Sequence, residues 1–294
     1  NRNEARFYLD FGPELVSRGV PIARLLHLEQ CSCEDLPSEN EVRGSSYLFL
    51  FEDVGEEYYQ TSPLAVSQAH TSLSALAKLH AASWQDTPLL KKASEQLHPR
   101  AGYWALPVRG DSELTQMLEF WPRYVEAFCG CDQEYFTSPS TVALAERLAA
   151  CGRAVAAKLS VTAESPFACL VHGDYKAMNV FLPKDKAKGA LLIDFQWTSI
   201  GYGMLDVAMH LYHSVLPQGE QVEALLRYYY DTLIQELVTR GHSNAQQEYS
   251  WEVALKHYRL SLIDYSRVVF GSFFKDASRF KFETRAENMN VGFH

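Results

Sequence analysis

Val171-His172-Gly173-Asp174-Tyr175-Lys176-Ala177-Met178-Asn179-Val180 is the stretch on which the fold turns, together with Ile193-Asp194-Phe195-Gln196 a little further on. Each half lies at the edge of a predicted strand. Ala168–Val171, Val180–Leu182 and Ala190–Ile193 are short apolar runs, and the polar residues Lys184–Gly189 turn the chain between the last two. Asp174 in a loop, Asn179 five residues later and Asp194 at the end of the following hairpin strand bring three oxygen-bearing side chains together. A lone loop Asp is an ordinary turn or cap residue. Two hard oxygen donors beside a third, separate carboxylate suit Mg²⁺, held through a few protein oxygens and substrate phosphates, with a base left over for a hydroxyl proton.

Helical patterns surround this centre. Residues 5–17 read as a helix with apolar positions Phe7, Leu9 and Phe11, cut at Gly12-Pro13. Ser46–Glu52 reads as a buried strand running into Glu52-Asp53-Val54-Gly55. Ser62-Pro63 has the form of a helix start, and Val66, Ala69, Leu73, Leu76, His80 and Trp84 then recur at spacings of three and four. Further helices are predicted over 114–128, 141–159, from Met204 onward, over 222–237 with Gly241 as terminator, and from about 246 to 270. Tyr228-Tyr229-Tyr230 reads as a half-buried helix face. His210 and His213 are either core histidines or metal ligands.

The joint pattern resembles the catalytic arrangement of protein-kinase-like phosphotransferases, His-x-Asp-x-x-x-x-Asn followed by Asp-Phe. Gly173 stands where many protein kinases have Arg, and Gln196 where they have Gly. The eleven residues between Asp194 and Asp206 are too few for a peptide-docking segment. His172-Gly173-Asp174, Ile193–Gln196, Gly201-Tyr202-Gly203 and Asp206 are most similar to the aminoglycoside phosphotransferase and choline kinase group, in particular its ecdysteroid-kinase-like (CHK-kinase-like) branch. Phe49–Asp53 as an interlobe hinge and Ala77–Ala81 in the next helix extend the resemblance over most of the chain.

That resemblance implies an α+β, two-lobed protein-kinase-like fold. Residues 1–54 would be the remainder of a small β lobe and hinge, truncated at the front, and 55–294 a large, mainly helical lobe. It implies an ATP-dependent phosphotransferase acting on a hydroxyl of a small molecule. Asp174 would be the catalytic base, with Asn179 and Asp194 as Mg²⁺ ligands. Backbone groups near Glu52, Asp53 and Val54 would meet adenine, and Glu4 would be the helix carboxylate that pairs with a strand lysine. Asp206 would brace the catalytic loop. Lys176 would either stabilise charge on the transferring phosphoryl group or be a solvated lysine. Asp264, Tyr265 and Arg267 would either line the acceptor pocket or be ordinary helix packing. No nucleotide-covering loop or strand lysine precedes residue 1 in the sequence, which keeps open a second reading, a non-catalytic kinase-like binding or scaffold protein.

Composition sets the outer bounds. Lys and Arg number 27 against 36 Asp and Glu, a net charge of −9, which argues against nucleic acid and anionic membrane surfaces as partners. Apolar residues are 47% of the chain and aromatics 13%, well outside the range of disordered proteins. No uncharged apolar run is long enough to span a bilayer. The lack of an apolar leader and of Asn-x-Ser/Thr sequons, with cysteines in Cys-x-Cys pairs (31/33 and 129/131) ill-spaced for zinc, predicts a cytoplasmic protein with free thiols. Nothing in the sequence bears on oligomeric state.

Overall fold

Residues 2–17 form one unbroken helix, α1, in the computed structural model, which describes residues 2–32, 45–215 and 220–272. The expected cut at Gly12-Pro13 is absent. A π-helical stretch, Phe7–Phe11, passes directly into Gly12–Ser17. Pro13 falls in the first turn of that last segment, where a missing N–H costs nothing. Phe7, Tyr8 and Phe11 face inward, while Leu9 stays 59% exposed. Phe7 stacks on Phe195 at 3.8 Å, tying α1 to the residue after Asp194.

Strands β1 (Leu25–Ser32) and β2 (Ser45–Phe51) form an antiparallel pair, with an irregularity between Leu25 and His27. His27, Glu29 and Gln30 break up the apolar pattern of β1, so sequence reading finds β2 alone. Nor is β2 buried as expected. Two strands cover only one face: Phe49 and Phe51 meet the Tyr8 ring at 6.2 and 5.1 Å, while Leu48 and Leu50 are more than half exposed.

Beyond residues 52–55, β3 (Tyr58–Tyr59) pairs with β5 (Val180–Pro183), which pairs with β6 (Leu191–Leu192) in the register Val180↔Leu192. This is the predicted hairpin, with β3 added to its edge. Between β3 and β5 in sequence, β4 (Cys169–Val171) pairs antiparallel with β7 (Ser199–Gly201).

The helices of the larger body are α2 (Val66–Ala82), α3 (Thr87–Gln96), α4 (Ser112–Phe128), α5 (Leu144–Lys158), α6 (Met204–Ser214), α7 (Glu220–Thr239) and α8 (Trp251–Gly271), with single helical turns between some of them. Ser62-Pro63 does not start α2; its peptide bond is cis, and the helix opens at Val66, with Gln68 Oε1 accepting from the Ala65 amide at 2.7 Å. The face Ala69, Leu73, Leu76 and His80 is buried as its spacing predicts, with Val66 left outside. The single helix expected over 246–270 is a turn, Ala245–Glu248, followed by α8, whose N-cap Ser250 accepts from the Val253 amide. Likewise 141–159 is divided between the turn Pro139–Val142 and α5. Tyr229 and Tyr230 are fully buried rather than half-buried, because α7 packs along α2.

The architecture is thus α+β, a small β lobe carried on α1 beside a larger helical body. The principal core joins α1, α2, the short strands, α6 and α7. Among the described residues no helix is long and apolar enough to cross a membrane. Cys33 and the end of the expected 55–294 lobe, from residue 273, lie outside the described residues.

Candidate active site

The loop between β4 and β5 carries the first half of the site. Asp174 is 2% exposed. Its Oδ2 accepts from Lys176 Nζ at 2.8 Å and from Asn179 Nδ2 at 3.2 Å. Asn179 Nδ2 also donates to the Asp174 carbonyl at 2.8 Å, so the five-residue spacing closes the loop on itself. Asp174 Oδ1 is buried and without a hydrogen-bond partner. Burial pushes the Asp174 carboxyl above the usual carboxylate range, opposed mainly by the Lys176 charge.

The hairpin brings in the second half. The Ile193 amide donates to the Asn179 carbonyl at 3.1 Å, which sets Asp194 beside Asn179. His172 Nε2 meets the Ile193 carbonyl at 2.8 Å, and its Nδ1 accepts from the Asp174 amide at 3.3 Å. Asp194 lies in the left-handed region (φ 65°), an uncommon state for a residue with a side chain and one found at functional sites. Gln196 Nε2 reaches Asp194 Oδ2 at 3.5 Å.

Distant segments hold the two halves of the site in place. Asp206, buried at the start of α6, accepts from the His172 amide (Oδ2, 2.6 Å) and the Gly173 amide (Oδ1, 2.9 Å), the brace expected of it. Gly173 has φ 79°, and a Cβ there would lie 2.1 Å from the Trp197 carbonyl oxygen. No side chain fits, which gives a steric reason for Gly at this position. Asn3 on α1 donates to the carbonyls of Gln196 and Thr198, both at 3.0 Å, and accepts from the His98 amide at 2.8 Å. Sequence reading misses Asn3; nothing in the pattern of α1 singles it out.

On the opposite side, Glu52 and Asp53 turn their carboxylates to solvent. The Glu52 amide donates to the Arg24 carbonyl, Asp53 Oδ1 accepts from the Gly55 amide, and the Val54 carbonyl accepts from Glu57 and Tyr58. Among the described residues neither the Glu52 carbonyl nor the Val54 amide has a backbone partner. Glu4 is pushed up to about 7, first by burial and then by the nearby Asp194 charge. No lysine or arginine among the described residues counters it.

The expected acceptor trio on α8 divides. Asp264 and Arg267 belong to the core: Arg267 donates to Asp264 (3.0 Å), Glu113 and the Trp104 carbonyl, and Arg109 holds the other Glu113 oxygen at 2.7 Å. Tyr265 is buried as well, edge-on to Trp104 at 5.4 Å, and is the one of the three that lies near enough to Asp174 to feel its charge without bonding to Arg267. It interacts with Tyr103, and burial raises both phenols first; the Asp174 charge comes next for Tyr103, and for Tyr265 it follows Tyr103 and Tyr212. Tyr103 lies 6.0 Å from the Trp197 ring, and Tyr212 lies 5.5 Å from Tyr265. Tyr103, in a loop without periodicity, leaves no sequence signal. His210 is a core histidine, its Nε2 2.5 Å from Ser72 Oγ, and burial lowers it to about 4. Among the described residues no group of three or more His, Cys, Asp or Glu is placed to hold a metal. The described cysteines 129, 131, 151 and 169 are free thiols.

Residues 2–241 match the ecdysteroid kinase-like family. No curated protein sequence matches. Among solved structures, an aminoglycoside-3'-phosphotransferase of type VIII is similar at 18% identity and TM-score 0.40, covering 85% of this chain and 76% of that one. A choline/ethanolamine kinase family protein from Mesorhizobium loti is similar at 14% identity and TM-score 0.41, covering 98% and 84%. Both overlaps are loose.

Proposed function

The chain belongs to the ecdysteroid kinase-like family, and from that premise we propose that it transfers the terminal phosphoryl group of ATP to a hydroxyl of a small molecule, with Mg²⁺. The observation that carries the reading is the divided environment of Asp174. Oδ2 is anchored by Lys176 and Asn179, while Oδ1 is buried and unpartnered. A buried acceptor left unmade is costly, so Oδ1 is a seat for a donor that arrives with the substrate. An alcohol hydroxyl is such a donor, and Asp174 accepts its proton as the oxygen attacks.

Asn179 and Asp194 would hold Mg²⁺. With Asn179 Nδ2 turned to Asp174, its amide oxygen is left as the free donor beside the Asp194 carboxylate. Two protein oxygens plus phosphates are a fitting set for this ion. Bound there, it would neutralise charge on the phosphates. Lys176, a third exposed and on Asp174 Oδ2, orients the base and adds positive charge where the phosphoryl group moves. The Glu52 carbonyl and the Val54 amide, without backbone partners among the described residues, are a seat for an adenine edge, and Glu4 is the α1 carboxylate that awaits a cation. Residues 1–54 would be the nucleotide-side lobe and hinge, and 55–294 the catalytic lobe.

An ADP-release assay against a panel of small alcohols tests the reading, run beside thermal melts with ATP and Mg²⁺. A Mg²⁺-dependent rise in Tm is expected, with Asp194→Asn removing most of it. Asp174→Asn should lower turnover by about 10²-fold or more while ATP still binds. Near-normal turnover in Asp174→Asn would move the base elsewhere.

A further inference from the structure

Behind the catalytic loop lies a chain of buried polar groups drawn from three helices. Tyr229 Oη of α7 is 2.6 Å from His80 Nδ1 of α2, and His80 Nε2 is 3.1 Å from Asp206 Oδ2 of α6. Asp206 in turn takes the His172 and Gly173 amides. Tyr229, His80 and Asp206 are all fully buried. Gly203 lies flat against the first link: a Cβ there would sit 2.7 Å from both His80 Nδ1 and Tyr229 Oη. The backbone has made room for this hydrogen bond.

The protons can be assigned by elimination. A bare Nε2 facing the Asp206 carboxylate would set two lone pairs against each other, so Nε2 carries a proton. If Nδ1 were protonated as well, the phenol would have to accept there, and its own proton would have no acceptor among the described residues; His80 Nδ1 is the sole hydrogen-bond partner of Tyr229 Oη. Burial holds the phenol well above its usual range, so it keeps that proton. The arrangement left is a neutral imidazole, with Tyr229 O–H donating to Nδ1 and Nε2–H donating to Asp206.

We propose that Tyr229 and His80 are positioning residues for the catalytic loop: the Asp206 carboxylate sets His80 as the Nε2–H tautomer, the Tyr229 hydroxyl donates to Nδ1 and holds the ring in line, and the Nε2–H then completes the donor set that keeps Asp206 aimed at the His172 and Gly173 amides. A buried carboxylate is held in place by the donors on its lone pairs, and three donors occupy most of the four here. Neither residue touches the reacting atoms. The consequence for turnover rests on the reading of Asp174 as base; the tautomer and the hold on the loop do not.

The test uses the full chain with ¹⁵N-labelled histidine side chains. His80 is identified by the signal lost in His80→Gln, and its tautomer is read from long-range ¹H–¹⁵N correlations. Wild type should show neutral Nε2–H. Tyr229→Phe should keep the Nε2 proton, which Asp206 sets, while Nδ1 loses its donor and its ¹⁵N shift moves accordingly. In that variant, amide exchange at His172 and Gly173 should quicken by about tenfold or more, the size of one lost buried hydrogen bond. His80→Gln, which keeps an N–H toward Asp206, should retain more of that protection than His80→Leu. An imidazolium or an Nδ1–H tautomer in wild type would overturn the proposal, as would unchanged exchange at both amides in Tyr229→Phe and His80→Leu. Activity lost with the Nδ1 shift and exchange unchanged would also overturn it, while leaving the phosphotransferase reading standing. A protein that transfers no phosphate yet shows the tautomer and the exchange effects would separate the two the other way.

Discussion

Gly173 and Glu4 show how much one residue decides at this site. The Gly173 backbone has φ 79° and a carbonyl where its Cβ would be. Gly173→Ala should cost on the order of 3 kcal/mol, strain and overlap together, and release the loop from Asp206. Urea unfolding and amide exchange at 172–174 would check this; a melting curve like wild type would show that the Trp197 carbonyl yields easily. At Glu4 the effect is electrostatic. Its carboxyl is raised in the folded protein to about 7 from 4.5, so the folded state binds the proton more tightly. The Glu4 contribution to stability is therefore favourable below pH 4.5 and is lost as pH rises through 7. The stability difference between wild type and Glu4→Gln, followed by urea unfolding, should change sign-consistently across that window and be flat above it. Comparing the two proteins cancels His210 and His257, which burial holds near 4 in both.

Among the elements, α8 is the one whose role the structure redraws. Its Asp264 and Arg267 join Glu113 and Arg109 in a buried network that pins α4 and the Trp104 carbonyl. Removing one partner leaves buried charges uncompensated. Arg267→Leu should lower stability by about 3–5 kcal/mol, measured by urea unfolding. A loss within a few tenths would mean that Glu113 and Asp264 find water or protonate. The break after Ala245–Glu248 explains part of this: Ser250 starts the helix anew, and α8 then presents Arg267 to Glu113 of α4.

For the whole molecule, Tyr103 and Tyr265 come from distant segments to lie near Asp174, with Trp197 and Tyr212 beside them. The eleven residues between Asp194 and Asp206 run straight into β7 and α6. With Asp174 proposed as the base, aromatic side chains near it suit a compact organic alcohol. Casein and histone incubated with radiolabelled ATP and Mg²⁺ should stay unlabelled. Labelling that disappears in Asp174→Asn would replace the small-molecule acceptor with a protein.

The loop, the hairpin and the second Asp were legible because their chemistry is contiguous: residues 171–196 bring Asp174, Asn179 and Asp194 together through one short-range strand pairing, Val180 with Leu192. The amphipathic helices were legible for the same reason, since a buried face repeats within a few residues. β1 was hidden because a strand with one solvated face mixes polar residues into its pattern. Asn3, Tyr103, His80 and Tyr229 gain their roles from partners far away in the chain, Asn3 from a carbonyl 195 residues on and His80 from a phenol 149 residues on. Which residues of α8 join the buried ion network and which lies near Asp174 depended on how whole helices pack. Spacing along one chain carries no record of contacts that only packing creates.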